Sequence, residues 1–82
     1  PVRALMMVAL EGRGQEKITA RLTGLPEVSA VHSTNGRWDM IAEIGTRTLE
    51  ELDQLILKVR NLDGVLASET NLLLSTRRAG RR

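Results

Sequence analysis

Residues 32 to 40, HSTNGRWDM, hold the chain's only histidine, its only tryptophan, a cation and a carboxylate around an Asn-Gly pair. An α-amino acid presents an ammonium, a carboxylate and a side chain, and this stretch has a group for each. Asp39 can accept from the ammonium. Backbone N–H groups around Asn35, Gly36 and Arg37 can cradle the carboxylate, as turn amides do. Arg37 can add a bidentate partner, and Gly36 lets a ligand approach the backbone closely. Further along, Ser68 and Thr70 are two apart. A strand points both hydroxyls the same way, so both can reach one ligand.

Each of these residues also has a plainer role. Asn-Gly is a common tight turn, Asp39 can cap that turn or pair with Arg37, and Ser68 and Thr70 have ordinary strand chemistry. Trp38 reads better as a packing or oligomer anchor than as a ring that stacks on a ligand. His32 reads as a satisfied sheet residue rather than a base. Cys and Tyr are absent, there is one His, and no two carboxylates stand at convincing spacing. A transition-metal cluster therefore lacks its ligands, and a catalyst lacks its base or nucleophile. We expect no metal, no cofactor and no enzymatic activity.

The elements that must position these residues follow from periodicity. Residues 4–11, ALMMVALE, are an apolar run of strand length, ended by the glycines of EGRG. In QEKITARLTGL, Ile18, Leu22 and Leu25 have helical spacing, and Gly24 and Pro26 end the helix. Residues 28–34, VSAVHST, are rich in β-branched side chains and read as a strand. Asn35-Gly36 predicts a two-residue type I′ hairpin, because both positions need positive φ. RWDMIAEI returns as a strand, with Trp38, Met40, Ala42 and Ile44 on one side and Asp39, Ile41 and Glu43 on the other.

TLEELDQLILKVRNL is the clearest helix. Thr48 and Glu51 form a capping box, Leu49, Leu52, Leu55, Ile56, Val59 and Leu62 make one stripe, and Lys58 and Arg60 suit its C-terminal end. Asp63-Gly64 turns the chain into a last strand, residues 65–76, apolar on both faces in its second half.

The order βαββαβ predicts an α+β, ferredoxin-like fold with a four-stranded antiparallel sheet and two helices on one face. The other face then has no cover. Leu5, Met7 and Ala9 alternate with Ala4, Met6, Val8 and Leu10, so the bare face is apolar as well. A second copy is the simplest cover, giving a two-fold homodimer with its sheets face to face, a dimeric αβ-barrel.

Composition bounds the rest. Eighty-two residues make one domain, of a size that buries about 60–65% of its surface and gains from oligomerisation. Without Cys no disulfide can form, which suits the cytoplasm. No apolar run has the length of a membrane span, and PVRALMMVAL lacks the charged start and cleavage site of a signal peptide. The net charge of +2 is local. Arg77, Arg78, Arg81 and Arg82 make residues 77–82 a basic, disordered tail after a domain spanning 1–76, and the body without them is slightly acidic. Such a tail can touch nucleic acid or acidic lipid. A first residue of Pro reads as a processed chain or a fragment.

Two stretches, GLPEVSAVHSTNGRWDMIAEI and LEELDQLILKVRNLDGVLASETNLLL, resemble the C-terminal effector-binding (RAM) domain of Lrp/AsnC-type transcriptional regulators. The matching features are Gly-x-x-Asp from Gly36 to Asp39, the apolar third strand, the amphipathic helix, and L-x-G-V-x-x-S-x-T from Leu62 to Thr70. The resemblance runs from about Val2 to Ser75. It implies a homodimer that assembles into octamers or other higher oligomers and binds a small effector, typically an amino acid, between dimers. It places Asn35, Gly36, Arg37, Trp38, Asp39, Ser68 and Thr70 near that effector. It also implies that DNA is bound only through a separate helix-turn-helix domain, absent from these residues, so that effector binding is coupled to assembly and thence to DNA binding. The first alternative is a stand-alone RAM-type amino-acid-binding protein, with a fragment of a full-length regulator favoured by Pro1. A small dimeric αβ-barrel enzyme ranks lower. An RRM-like nucleic-acid binder would need aromatic residues on strand 1, which has none. An ACT-type amino-acid sensor would pair its sheets side by side.

Overall fold

A computed structural model describes residues 1–80. Six elements follow in the expected order: β1 Val2–Leu10, α1 Gln15–Thr23, β2 Val28–Ser33, β3 Met40–Thr46, α2 Leu49–Arg60 and β4 Val65–Leu72. Every strand pair is antiparallel and the sheet order is β2-β3-β1-β4, which is the ferredoxin-like arrangement.

Alternation along β1 divides the sheet into two faces. Ala4, Met6, Val8 and Leu10 are buried and form one cluster with Met40, Ala42 and Ile44 of β3, Ile18 and Leu22 of α1, and Leu52, Leu55 and Val59 of α2. Both helices therefore cover the same face. Leu5, Met7 and Ala9, with Ile41 and Glu43, lie on the opposite face and are only half-buried.

The helix boundaries have local causes. Gly14 precedes α1 at φ 105°, a conformation open to glycine and strained for other residues. Gly24 and Pro26 close this helix as expected. In α2 the Thr48 hydroxyl accepts from the Glu51 N–H at 3.0 Å. The return bond of the box goes one residue further out, from the Arg47 N–H to Glu51 Oε1 at 3.0 Å. That backbone bond, helped by the Arg47 guanidinium, holds the Glu51 carboxyl below the ordinary carboxylate range. Leu49 leaves the expected stripe. It opens the helix with 60% of its surface exposed, while Leu52, Leu55 and Val59 carry the contact.

Three sequence expectations are corrected by pairing. The two-residue type I′ turn at Asn35-Gly36 is not formed. The glycines with positive φ are Gly12, Gly14 and Gly64, and β3 begins at Met40 rather than Arg37, leaving Thr34 to Asp39 as a six-residue connection. The last strand stops at Leu72 instead of residue 76; one further bond runs from the Leu73 N–H to the Arg3 carbonyl. Of the second half expected to be apolar on both faces, only Asn71 and Leu72 lie in β4, and Asn71 stands on the open face opposite Leu5, so that face is polar there.

The strand also carries a bulge. Ala9 faces Ala67 but Leu10 faces Val65, so Leu66 is an extra residue, 66% exposed on an edge strand. Residues 73–80 carry no regular element. Of the arginines read as a basic tail, Arg77 and Arg78 are exposed, and Arg81 and Arg82 lie outside the described residues.

Candidate effector loop

The connection from Thr34 to Asp39 is held at both ends and projects between them. The Thr34 N–H donates to the Asp39 carbonyl at 3.1 Å, which closes the hairpin. The Thr34 hydroxyl accepts from the Gly36 N–H at 3.2 Å, so a side-chain turn replaces the backbone turn that Asn-Gly predicts. Asn35, Gly36 and Arg37 are exposed, and Trp38 and Asp39 are half-buried. The Arg37 guanidinium lies 5.1 Å from the centre of the Trp38 ring, a cation–π distance. Arg37 is thus steered by its neighbour and not by Asp39.

Asp39 is the anchor of the loop. Its backbone N–H donates to the Val8 carbonyl at 2.9 Å. Its Oδ2 accepts from the Leu10 N–H at 2.7 Å, a short, charge-assisted bond. The carboxylate thereby completes the end of β1 beside the bulge, where the regular ladder is interrupted. No local signal marks this partner, which lies 29 residues away.

Ser68 and Thr70 do point the same way, but toward the helices. They pair with Val8 and Met6, both buried in the core. The Thr70 hydroxyl oxygen is buried and makes no hydrogen bond among the described residues. Strand β1 lies between them and β3. The structure therefore brings Asn35, Gly36, Arg37, Trp38 and Asp39 into one loop and leaves Ser68 and Thr70 two strands away, on the covered face of the same chain.

Two other loops share this end of the sheet. The Glu11 N–H donates to the Gly64 carbonyl at 2.9 Å, joining the β1–α1 and α2–β4 turns. A cleft of about 470 Å³ opens there, lined by Arg13, Lys17, Arg21, Glu11 and Asp63 among others. Sequence reading took both segments only as turns. No local sequence signal joins them, since the bonded Glu11 and Gly64 are more than fifty residues apart. Among the described residues no group of three His, Asp or Glu side chains could hold a metal ion, and no helix is long and apolar enough to cross a membrane.

Residues 3–82 match the model of the Lrp/AsnC ligand binding domain. An uncharacterised HTH-type transcriptional regulator of Pyrococcus abyssi (strain GE5 / Orsay) is 30% identical over 78 residues, covering 94% of this chain and 49% of that protein. The chain spans about half the length of the curated relatives it matches. Among solved structures, TTHA0845 of Thermus thermophilus aligns with a TM-score of 0.85 at 27% identity, over 99% of this chain and 100% of that one. The regulator NMB0573 of Neisseria meningitidis, solved with L-methionine, aligns with a TM-score of 0.89 at 16% identity, over 95% of this chain and 53% of that one. At that identity it shares the fold.

Proposed function

The chain belongs to the Lrp/AsnC ligand-binding-domain family, and on that premise we propose that it binds an amino-acid effector and couples binding to self-assembly. The exposed loop from Asn35 to Asp39 carries the reading. Asn35, Gly36 and Arg37 are exposed, and one carboxylate fixes the base of the loop. Here the free N–H groups of the loop and Arg37 take the effector's carboxylate, and Asp39 takes its ammonium. Trp38 and Arg37, stacked together, form a wall of the site.

Ser68 and Thr70 stand two strands away within one chain and face the helices, so the loop by itself makes the site. A second copy of the chain covers the open sheet face, in the dimeric αβ-barrel manner, and the effector sits where such dimers meet in an octamer or another higher oligomer. Residues 1–76 form this module, and 77–82 a basic tail. The curated relatives are HTH-type transcriptional regulators, which supports a DNA-binding partner domain, coupled to this one through assembly, and a cytoplasmic setting. They give no support to an enzyme.

A panel of the twenty amino acids, read by light scattering and thermal shift, tests the proposal. At least one should change particle size or raise the melting temperature in a concentration-dependent way. No response to any of them would leave an assembly module that ignores amino acids and would overturn the effector reading.

A further inference from the structure

At the end of the sheet away from the loop, one carboxylate lacks a partner. Glu27 lies in the turn between α1 and β2 and is half-buried. Its backbone is pinned on both sides. The Val28 N–H donates to the Leu25 carbonyl at 3.1 Å, and the Glu27 carbonyl accepts from the Gly45 N–H at 2.9 Å. Its side-chain Oε1 is buried and accepts no hydrogen bond among the described residues. A carboxylate oxygen withdrawn from water without a donor in exchange costs free energy until a donor reaches it.

Glu27 lines a cleft of about 390 Å³ together with Arg47, Glu51, Gln54, Leu55 and Lys58, a volume in the range of small-molecule sites. Two of its charged groups answer each other. The Arg47 N–H donates to Glu51 Oε1 at 3.0 Å, and the Arg47 guanidinium to Glu51 Oε2 at 3.4 Å. Two do not. Among the described residues the Lys58 ammonium enters no ion pair, as Glu27 enters none. The cleft therefore holds one unanswered acceptor and one unanswered cation, with the Gln54 amide able to donate or accept between them.

We propose that this cleft binds a small zwitterion, a primary ammonium joined to a carboxylate, as a site separate from the loop. The ammonium donates to Glu27 Oε1, and the carboxylate meets Lys58 and the Gln54 amide. A bare cation would face Arg47 and Lys58, and a bare anion would face Glu27 and Glu51. A ligand of both signs satisfies both unanswered groups and leaves the Arg47–Glu51 pair intact. The site borrows nothing from the loop, because Glu27 precedes β2, the loop follows it, and the six residues of that strand stand between them.

Nitrogen-edited NMR of the 82-residue chain, titrated with glycine, β-alanine and γ-aminobutyrate, tests the cleft. The three probes differ only in the spacing of their charges. Glycine betaine, whose ammonium has no N–H to donate, is the control. At least one of the three should shift the Gln54 side-chain amide and the Glu27 N–H to saturation, and betaine should shift neither. Glu27→Gln should weaken that binding about tenfold, the size of one hydrogen bond to a charged group. Lys58 is exposed, so Lys58→Gln should fold as the parent does and weaken binding about threefold, as for an exposed ion pair. Shifts confined to Gly36 and the Trp38 indole N–H would overturn the cleft and leave the loop standing. Equal shifts with betaine, shifts unchanged in both variants, or no saturable shift at Gln54 and Glu27 would overturn the cleft as well.

Discussion

Met6 and Met7 are neighbours in β1, of the same type, in the same strand, and they have different fates. Met6 points into the helix-covered core and is fully buried, whereas Met7 points to the open face and is half-buried. One rotation of the pleat separates them. A side chain on the covered face contributes to the fold of one chain. A side chain on the open face contributes little until a second surface arrives. The same division runs through β3, where Met40, Ala42 and Ile44 are buried and Ile41 and Glu43 alternate with them.

The sharpest way to break this contrast is to truncate both methionines. Met6→Ala should destabilise the chain by about 2–5 kcal/mol, the range for buried methionine, in urea denaturation at low protein concentration. Met7→Ala should cost less than about 1.5 kcal/mol under the same conditions and act instead on association, seen as a raised dissociation constant in sedimentation. Equal losses in both variants would erase the distinction between the faces.

The next test concerns Asp39, which serves both the fold and the proposed site. Asp39→Ala leaves the Leu10 N–H without its acceptor and should cost about 1–3 kcal/mol in urea denaturation. Asp39→Asn can still accept from that N–H and should retain most of the stability while losing affinity for an effector ammonium. Calorimetry with whichever amino acid the panel identifies checks the second half. An unchanged affinity in Asp39→Asn would take the carboxylate out of the site.

Effects at α2 should be smaller, because its N-terminus lies at the exposed margin of the core. Thr48→Ala removes the acceptor for the Glu51 N–H and should cost about 1 kcal/mol, measured by thermal melting. The smallest effect is that of acid on Glu51. Its carboxyl is held below the ordinary range by the Arg47 N–H, so the folded chain favours the ionised form. That contribution is complete above the ordinary carboxylate value and is lost as pH falls through the lowered one. Glu51→Gln should flatten slightly the acid limb of the stability profile, followed by circular dichroism. An unchanged limb would mean that the bond contributes nothing in solution.

Much of the covered face was legible in the residues. The stripes of α1 and α2, the capping threonine and the alternation of β1 each rest on neighbours within a turn or two. The loop was less legible, because Asn35-Gly36 is a strong local signal that a distant bond overrides. Asp39 reaches Leu10 at the far end of another strand, and the hairpin widens to six residues to let it. The direction of Ser68 and Thr70 was hidden for a related reason. Facing depends on register, and a slip of one residue sends every side chain to the other side. The extra residue at Leu66 shifts that count without leaving a mark in the composition. Exposed Leu49 shows the limit of a periodic stripe, since the first turn of a helix can overhang the layer beneath it.

That extra residue also governs how copies of this chain can add to one another. A free β-edge is a template, and a chain that docks along it offers the same edge again to the next arrival, without end. By kinking the outermost strand just after its start, Leu66 spoils the straight ladder that a newcomer needs. Growth by stitching edge to edge is thereby obstructed at this margin.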